Sequence, residues 1–190
     1  MHGLVVLDED DDVIRPAILW NDGRTQKETD YLNNKIGKDK LSQYTANIAF
    51  AGFTAPKILW MKKNEPEKFA KIAKIMLPKD YIAYRLTGVH CTDVSDASGM
   101  LIFDVKNRCW SKEMLEICHI TEAQLPKLYE SWQVVGNLKA EVAKELGFSE
   151  DVKVVAGAGD NAAAAVGTGK TSLSRDPAGG SFHGRDHSSS

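Results

Sequence analysis

The stretch Val152 to Val166 constrains this chain more than any other. Val152 to Ala156 is an apolar run of strand length and reads as a buried strand. Gly157 and Gly159 make a turn, and Asp160-Asn161-Ala162-Ala163-Ala164-Ala165 opens an alanine-rich helix. Strand, glycine turn and helix in direct succession form the local unit of an α/β architecture.

Three chemistries compete for that turn. Gly157-x-Gly159-x-x-Ala162 has the spacing of a dinucleotide fingerprint, which requires a second strand ending in an acid ~20 residues on. The residues around Asp176 carry no strand pattern, and Asp160 would set a carboxylate beside the pyrophosphate, so that reading fails on context. Gly169-Lys170-Thr171 ends like a P-loop, but Ala164 occupies the first glycine position and a helical stretch separates the loop from its strand. The third reading makes Asp160 a catalytic carboxylate at or near a helix N-terminus, where the helix dipole favours its charge. Spacing alone favours a plain N-cap residue over that role, so the rest of the chain must decide.

The remainder is punctuated by Pro and Gly into short elements. Gly3 to Leu7 and Val13 to Trp20 read as a hairpin around the acidic turn Asp8-Glu9-Asp10-Asp11-Asp12, which lacks the glycine and distal Glu of an EF-hand. Helical spacing follows over Thr25–Ile36 and Ala55–Asn64, and from Pro66 to Ala73. Ile75-Met76-Leu77 reads as a strand, and Pro78 opens a helix that stops at Gly88. Ser111 caps a further helix, and Lys139 to Leu146 forms another before Gly147.

At 190 residues, 43% hydrophobic and 26% charged, the composition is that of a soluble globular chain. The net charge of −2 gives no electrostatic reason to expect nucleic acid, and no apolar run reaches membrane-spanning length. Cys91, Cys109 and Cys118 show no CxxC spacing and read as buried or free thiols in a reducing compartment, which points to the cytoplasm. Residues 171–190, rich in Ser, Gly, Asp and Arg, read as a disordered tail or a cloning remnant. The His183/His187 pair in it has no third ligand for a metal, so no metal residues are assigned.

"PAILWNDGRT" (Pro16 to Thr25), "GFTAPKILWMKKNEPE" (Gly52 to Glu67) and "GAGDNAAAAVGTG" (Gly157 to Gly169) settle the matter by resemblance. Their order and spacing resemble those of the FGGY family of carbohydrate kinases. Gly52-x-Thr54-x-x-Lys57-Ile58-x-Trp60-Met61-x-Lys63-Asn64 is similar throughout to the family's first signature, and "LPKDYIAYRLTG" and "TDVSDASGMLIFDV" resemble it as well. The resemblance covers nearly all of residues 1–170.

It implies a ribonuclease-H-like domain of the actin/hexokinase-like fold, incomplete here and carrying helical insertions. It also implies a sugar-binding role for residues 1–170, in a family that transfers the γ-phosphoryl group of ATP, with Mg²⁺, to a sugar hydroxyl. By the same resemblance Asp160 is the general base. Met1, His2 and Asn161 contact the sugar, with Trp20, Asp22 and Arg24 as further substrate-site residues, and Gly167, Thr168 and Gly169 lie toward the nucleotide. Asp22 reads equally as the cap of a helix starting near Arg24, His2 equally as a frayed terminus, and Trp60 with Lys57 as core and helix surface.

The residues around Met1-His2 and Trp20 to Arg24 favour a ketose, D-xylulose, over glycerol, ribulose, gluconate or fuculose. A sugar-binding module without catalysis, or a structural domain without ligand, are the other readings. The family's leading "G-x-D-x-G-T" strand and its ATP domain are not found in this sequence. Met1 would then be an internal residue, ATP would not be held stably, and kinase activity of the chain alone would be small. Exposed sheet edges would also favour homo-oligomers.

Overall fold

A computed structural model describes residues 1–169; the expected tail, its histidines and the Lys170-Thr171 end of the P-loop-like motif lie outside the described residues. Strand β1 (Val5–Leu7) opens the chain, and the sequence then coils through α1 (Gln26–Tyr31), a widened π-helical stretch (Leu32–Gly37) and α2 (Lys38–Thr45). The expected helix over Thr25–Ile36 ends at Gly37, whose φ of 101° breaks it before α2 begins at Lys38. Asn33 ties its far side to the loop, donating to the Ala49 carbonyl at 2.9 Å and accepting from Ala49 N at 3.0 Å.

Helices α3 (Thr54–Asn64) and α4 (Pro66–Phe69) follow, then β2 (Lys74–Met76) and α5 (Pro78–Thr87). Pro78 sits at the first position of α5, where its missing N–H has no helical partner to lose, and Gly88 closes the helix at φ 78°. The second half comprises β3 (Cys91–Asp93), α6 (Val94–Ala97), β4 (Phe103–Asp104), β5 (Cys109–Trp110) and α7 (Lys112–Cys118). It ends with β6 (Lys127–Tyr129), β7 (Val134–Asn137), α8 (Ala140–Leu146), β8 (Lys153–Val155) and α9 (Asp160–Gly167). Ser111 caps α7 as its sequence suggests, its hydroxyl accepting from Met114 N at 3.3 Å.

The described strands pair two by two. β1 runs antiparallel to β2, β3 parallel to β6, β4 antiparallel to β5 and β7 antiparallel to β8. The expected hairpin of residues 3–20 forms only as single bridges, Leu4 to Ile18 and Leu7 to Val13, because β1 gives its main ladder to the distant β2. One large core joins Leu4, Val6 and Ile18 to Leu32, Ile58, Met61, Ile75, Phe103 and Met114.

Three further expectations need correction. The helix from Pro66 ends at Phe69 and does not reach Ala73. The strand Val152–Ala156 is not buried throughout: β8 pairs with β7, Val155 is 46% exposed, and only Ala156 at its end is fully covered. Val154, on the opposite face from Val155, is half-buried against Ala83, Cys91 and Val135. Lys57 is not on a helix surface but fully buried, its long stem crossing the core to reach a knot of backbone carbonyls. No described helix is long and apolar enough to cross a membrane.

Candidate active site

Met1, His2, Trp20, Phe53, Asp160 and Asn161 line one cavity of about 310 Å³. The fold thus brings together residues from the two ends of the described chain, five of them singled out by sequence and Phe53 not. A cavity of about 380 Å³ beside α1, α3 and α7 shares no lining residue with it and is lined by Tyr31, Leu59 and Ile117 together with Lys27, Lys62 and Lys63.

The turn that carries Asp160 is held from beneath. Gly157 adopts φ 80°, a conformation that an L side chain rarely tolerates, and this aims the chain from β8 toward α9. Lys79 donates from Nζ to the Ala156 carbonyl at 2.9 Å and pairs with Asp80 at 2.7 Å and Asp93 at 3.1 Å. Burial works against that ammonium, but the two carboxylates outweigh it and hold Lys79 above its ordinary range. Gly159 N donates to Ser95 Oγ at 3.0 Å, and Ser95 is fixed by Asp93, which caps α6 through Oδ2. Asp93 Oδ2 also accepts from Ser131 Oγ at 2.9 Å.

Gly159, not Asp160, is the N-cap residue of α9; Asp160 is the first helical residue. Its side chain is exposed, with Oδ1 accepting the Asn161 N–H at 2.6 Å and no described partner at Oδ2. Its own N–H points at Met1 Sδ, 2.7 Å away. A free carboxylate oxygen at the mouth of a small cavity is what a general base requires.

His2 forms the facing wall. Its backbone lies at φ 46°, its carbonyl accepts from Thr54 Oγ1 at 3.2 Å, and its ring stands edge-on to Phe53 with centroids 5.2 Å apart. It is no frayed terminus. Burial, then the N-terminal ammonium and Lys57, hold the imidazole below its ordinary range, with Asp160 opposing them. A neutral imidazole can both give and take a hydrogen bond, which suits a polyol.

Lys57 supports the same wall. Nζ donates to the carbonyls of Ala51, Gly52 and Phe53 at 3.1, 2.5 and 2.8 Å, and burial lowers its pKa to about 8. Trp20 overhangs the cavity at 64% exposure.

The remaining sequence-derived residues stand apart. Asp22 caps the turn Gly23–Thr25 and grips Arg24, its carboxylate held below the usual range first by the Arg24 side chain and then by the Arg24 backbone N–H. Arg24 stacks over Trp60 at 4.8 Å, so neither residue lines the cavity. Gly167, Thr168 and Gly169 lie at the far end of α9, about 12 Å along its axis from Asp160. Helix C-termini present carbonyls and partial negative charge, which repel phosphate. The described residues include no group of three His, Cys, Asp or Glu that could hold a metal.

Comparison with known proteins turns the geometry into a lineage. The profile of the N-terminal domain of the FGGY family of carbohydrate kinases matches residues 1–167. The chain belongs to that family. Among curated FGGY relatives, the xylulose kinase of Escherichia coli strain K12 is 48% identical over 169 residues, 89% of this chain and 34% of that protein. A crystal structure described as a xyloylose kinase from Brucella ovis superposes with a TM-score of 0.83 at 44% identity, over 88% of this chain and 34% of that one. A gluconate kinase from Lactobacillus acidophilus gives a TM-score of 0.80 at 32% identity, over 84% of this chain and 32% of that one. The chain spans about a third of the length of the curated FGGY relatives it matches. Its α/β fold is thus that of the actin/hexokinase-like sugar kinases, whose sheet is represented here by paired short strands.

What sequence reasoning missed was the support beneath the site: Phe53, Lys57, Lys79, Asp93, Ser95 and Asp96. Each lies inside a quoted family motif, but nothing in a one-dimensional pattern tells a buried ionic brace from a solvated face.

Proposed function

We propose that residues 1–169 are the sugar-binding part of an ATP-dependent xylulose kinase, with Asp160 as the general base. The observation that carries this is the convergence of Met1, His2, Trp20, Asp160 and Asn161 on one cavity of about 310 Å³, a size suited to a five-carbon sugar. The xylulose kinases among the relatives supply the choice of sugar.

In this reading the ketose lies between Trp20 and the His2–Phe53 wall, with Asn161 and His2 bonding its hydroxyls. A site built on such bonds rejects analogues lacking the hydroxyl, because its polar groups are then left unpaired. Asp160 Oδ2 accepts the proton of the reacting hydroxyl, turning that oxygen into a nucleophile. The phosphoryl donor, ATP with Mg²⁺ in this family, supplies the group that oxygen attacks. The neutral, part-buried His2 keeps a second cation away from the sugar, so the negative charge of Asp160 stays available for the proton.

Calorimetric titration of D-xylulose into the chain tests this, with Asp160→Ala, D-gluconate and ATP/Mg²⁺ titrated in parallel. Xylulose binding that weakens in Asp160→Ala and is indifferent to ATP supports the reading. Tighter binding of gluconate transfers the assignment to that sugar, as the gluconate kinase neighbour allows. No sugar binding by the folded chain overturns it.

A further inference from the structure

Asp96 is a carboxylate in an expensive place. Its side chain is wholly removed from solvent, and neither Oδ1 nor Oδ2 has a hydrogen-bond partner among the described residues. A buried carboxylate without such partners destabilises a fold, so its retention calls for an account in terms of the neighbouring site. Its nearest ionisable contact is the cavity-lining His2, whose Nε2 lies 3.5 Å from Asp96 Oδ1.

The surroundings of the ring are built for that approach. Gly99 lies directly under the imidazole: a Cβ there would fall 1.9 Å from Nε2. Phe53 stands against another side of the ring, and Thr54 holds the His2 carbonyl while the backbone keeps a left-handed conformation. Strain of that kind persists only where neighbours over-determine it. Three contacts and one absent side chain therefore fix the place of the ring, with Nε2 3.5 Å from Asp96 Oδ1.

We propose that Asp96 is a positioning residue of the sugar site, holding His2 as the Nε2–H tautomer so that Nδ1 is the ring's acceptor on the cavity side. This rests on the sugar-binding reading above and specifies which way one of its hydrogen bonds runs. With Nε2–H committed to the carboxylate, Nδ1 can only accept, so the pocket selects a ligand hydroxyl that donates to it. A carbonyl or ether oxygen at the same place would face a lone pair. The arrangement parallels the carboxylate–histidine pairs that set tautomer and ring orientation at metal sites.

The test reads the tautomer directly, with no sugar present. Long-range ¹H–¹⁵N spectra of the ¹⁵N-labelled 190-residue chain should show His2 as Nε2–H. Asp96→Ala should convert it to a mixture, and Asp96→Asn, which keeps an acceptor oxygen, should preserve it. Should the alanine variant unfold, Asp96→Leu fills the volume without an acceptor and carries the same expectation. D-xylulose affinity should fall about tenfold in Asp96→Ala and recover in Asp96→Asn. An unchanged tautomer in the alanine or leucine variant overturns the proposal even if sugar binds. A tautomer lost in the variant while the wild-type chain binds no sugar upholds the positioning role and overturns the sugar reading alone.

Discussion

Replacing Asp96 by Asn should make the chain more stable at neutral pH, and by an amount that depends on pH. Burial first, and the charges of Asp80 and Asp93 after it, push the Asp96 carboxyl from 3.8 up to about 6, against the opposing pull of Lys79 and the N-terminal ammonium. The folded chain therefore keeps this proton up to about pH 6, while the unfolded chain releases it near 3.8. Between those values the unfolded state binds fewer protons, so stability falls as pH rises through the window and stays lower above it. At 1.36 kcal/mol per pH unit the loss is about 3 kcal/mol, of which a buried amide gives back part, leaving an advantage of about 2 kcal/mol for the variant. Urea unfolding of both chains from about pH 4 to about pH 7 measures it. With a slope of about 2 kcal/mol per molar, the midpoint of Asp96→Asn should move up by about 1 M at neutral pH and coincide with wild type near pH 4. A variant no more stable than wild type at neutral pH, or an advantage that persists unchanged at pH 4, would refute the reasoning.

Three further outcomes follow from the same geometry. Lys57→Met should destabilise the fold by about 2 kcal/mol in urea titrations, because the Ala51, Gly52 and Phe53 carbonyls lose a charged donor. The deficit should widen as pH rises from about 8 to 10.5, since the unfolded chain there binds more protons at Lys57 than the folded one and wild type gains stability. Gly99→Ala should displace the His2 ring and weaken D-xylulose binding in calorimetry by more than tenfold, at a stability loss of about 1–3 kcal/mol for the overpacked contact. Equal affinity would mean the ring can move without consequence. Under native conditions a maleimide should label Cys109 alone, by intact mass, because Cys91 and Cys118 are buried and their thiols are pushed up to about 11 and about 12. Unfolding should expose all three.

The residues that line the cavity were largely legible in the sequence. Asp160, Asn161, Met1, His2 and Trp20 all line the cavity, and Trp20, Asp160 and Asn161 lie in motifs whose order along the chain resembles one kinase family. Asp22 and Arg24 were legible only as polar residues near that motif. Their proximity at i and i+2 lets them satisfy each other, which removes them from the cavity. The strand before Asp160 looked buried because Val and Ala are apolar, but hydrophobicity records what a side chain prefers and not what covers it.

By itself, the order of residues determined the local elements and their stops. Pro78 at a helix start, Ser111 as a cap, Gly88 and Gly147 at left-handed ends, and Gly157 in its positive-φ turn all follow from backbone sterics within a few residues. Only the tertiary structure decided that Met1 meets Asp160, that Lys79 and Ser95 hold the turn between them, and that buried Asp96 lies 3.5 Å from His2. Those contacts join residues scores of positions apart. Their energies depend on burial and on the direction of single hydrogen bonds, which exist only once the core has closed around them.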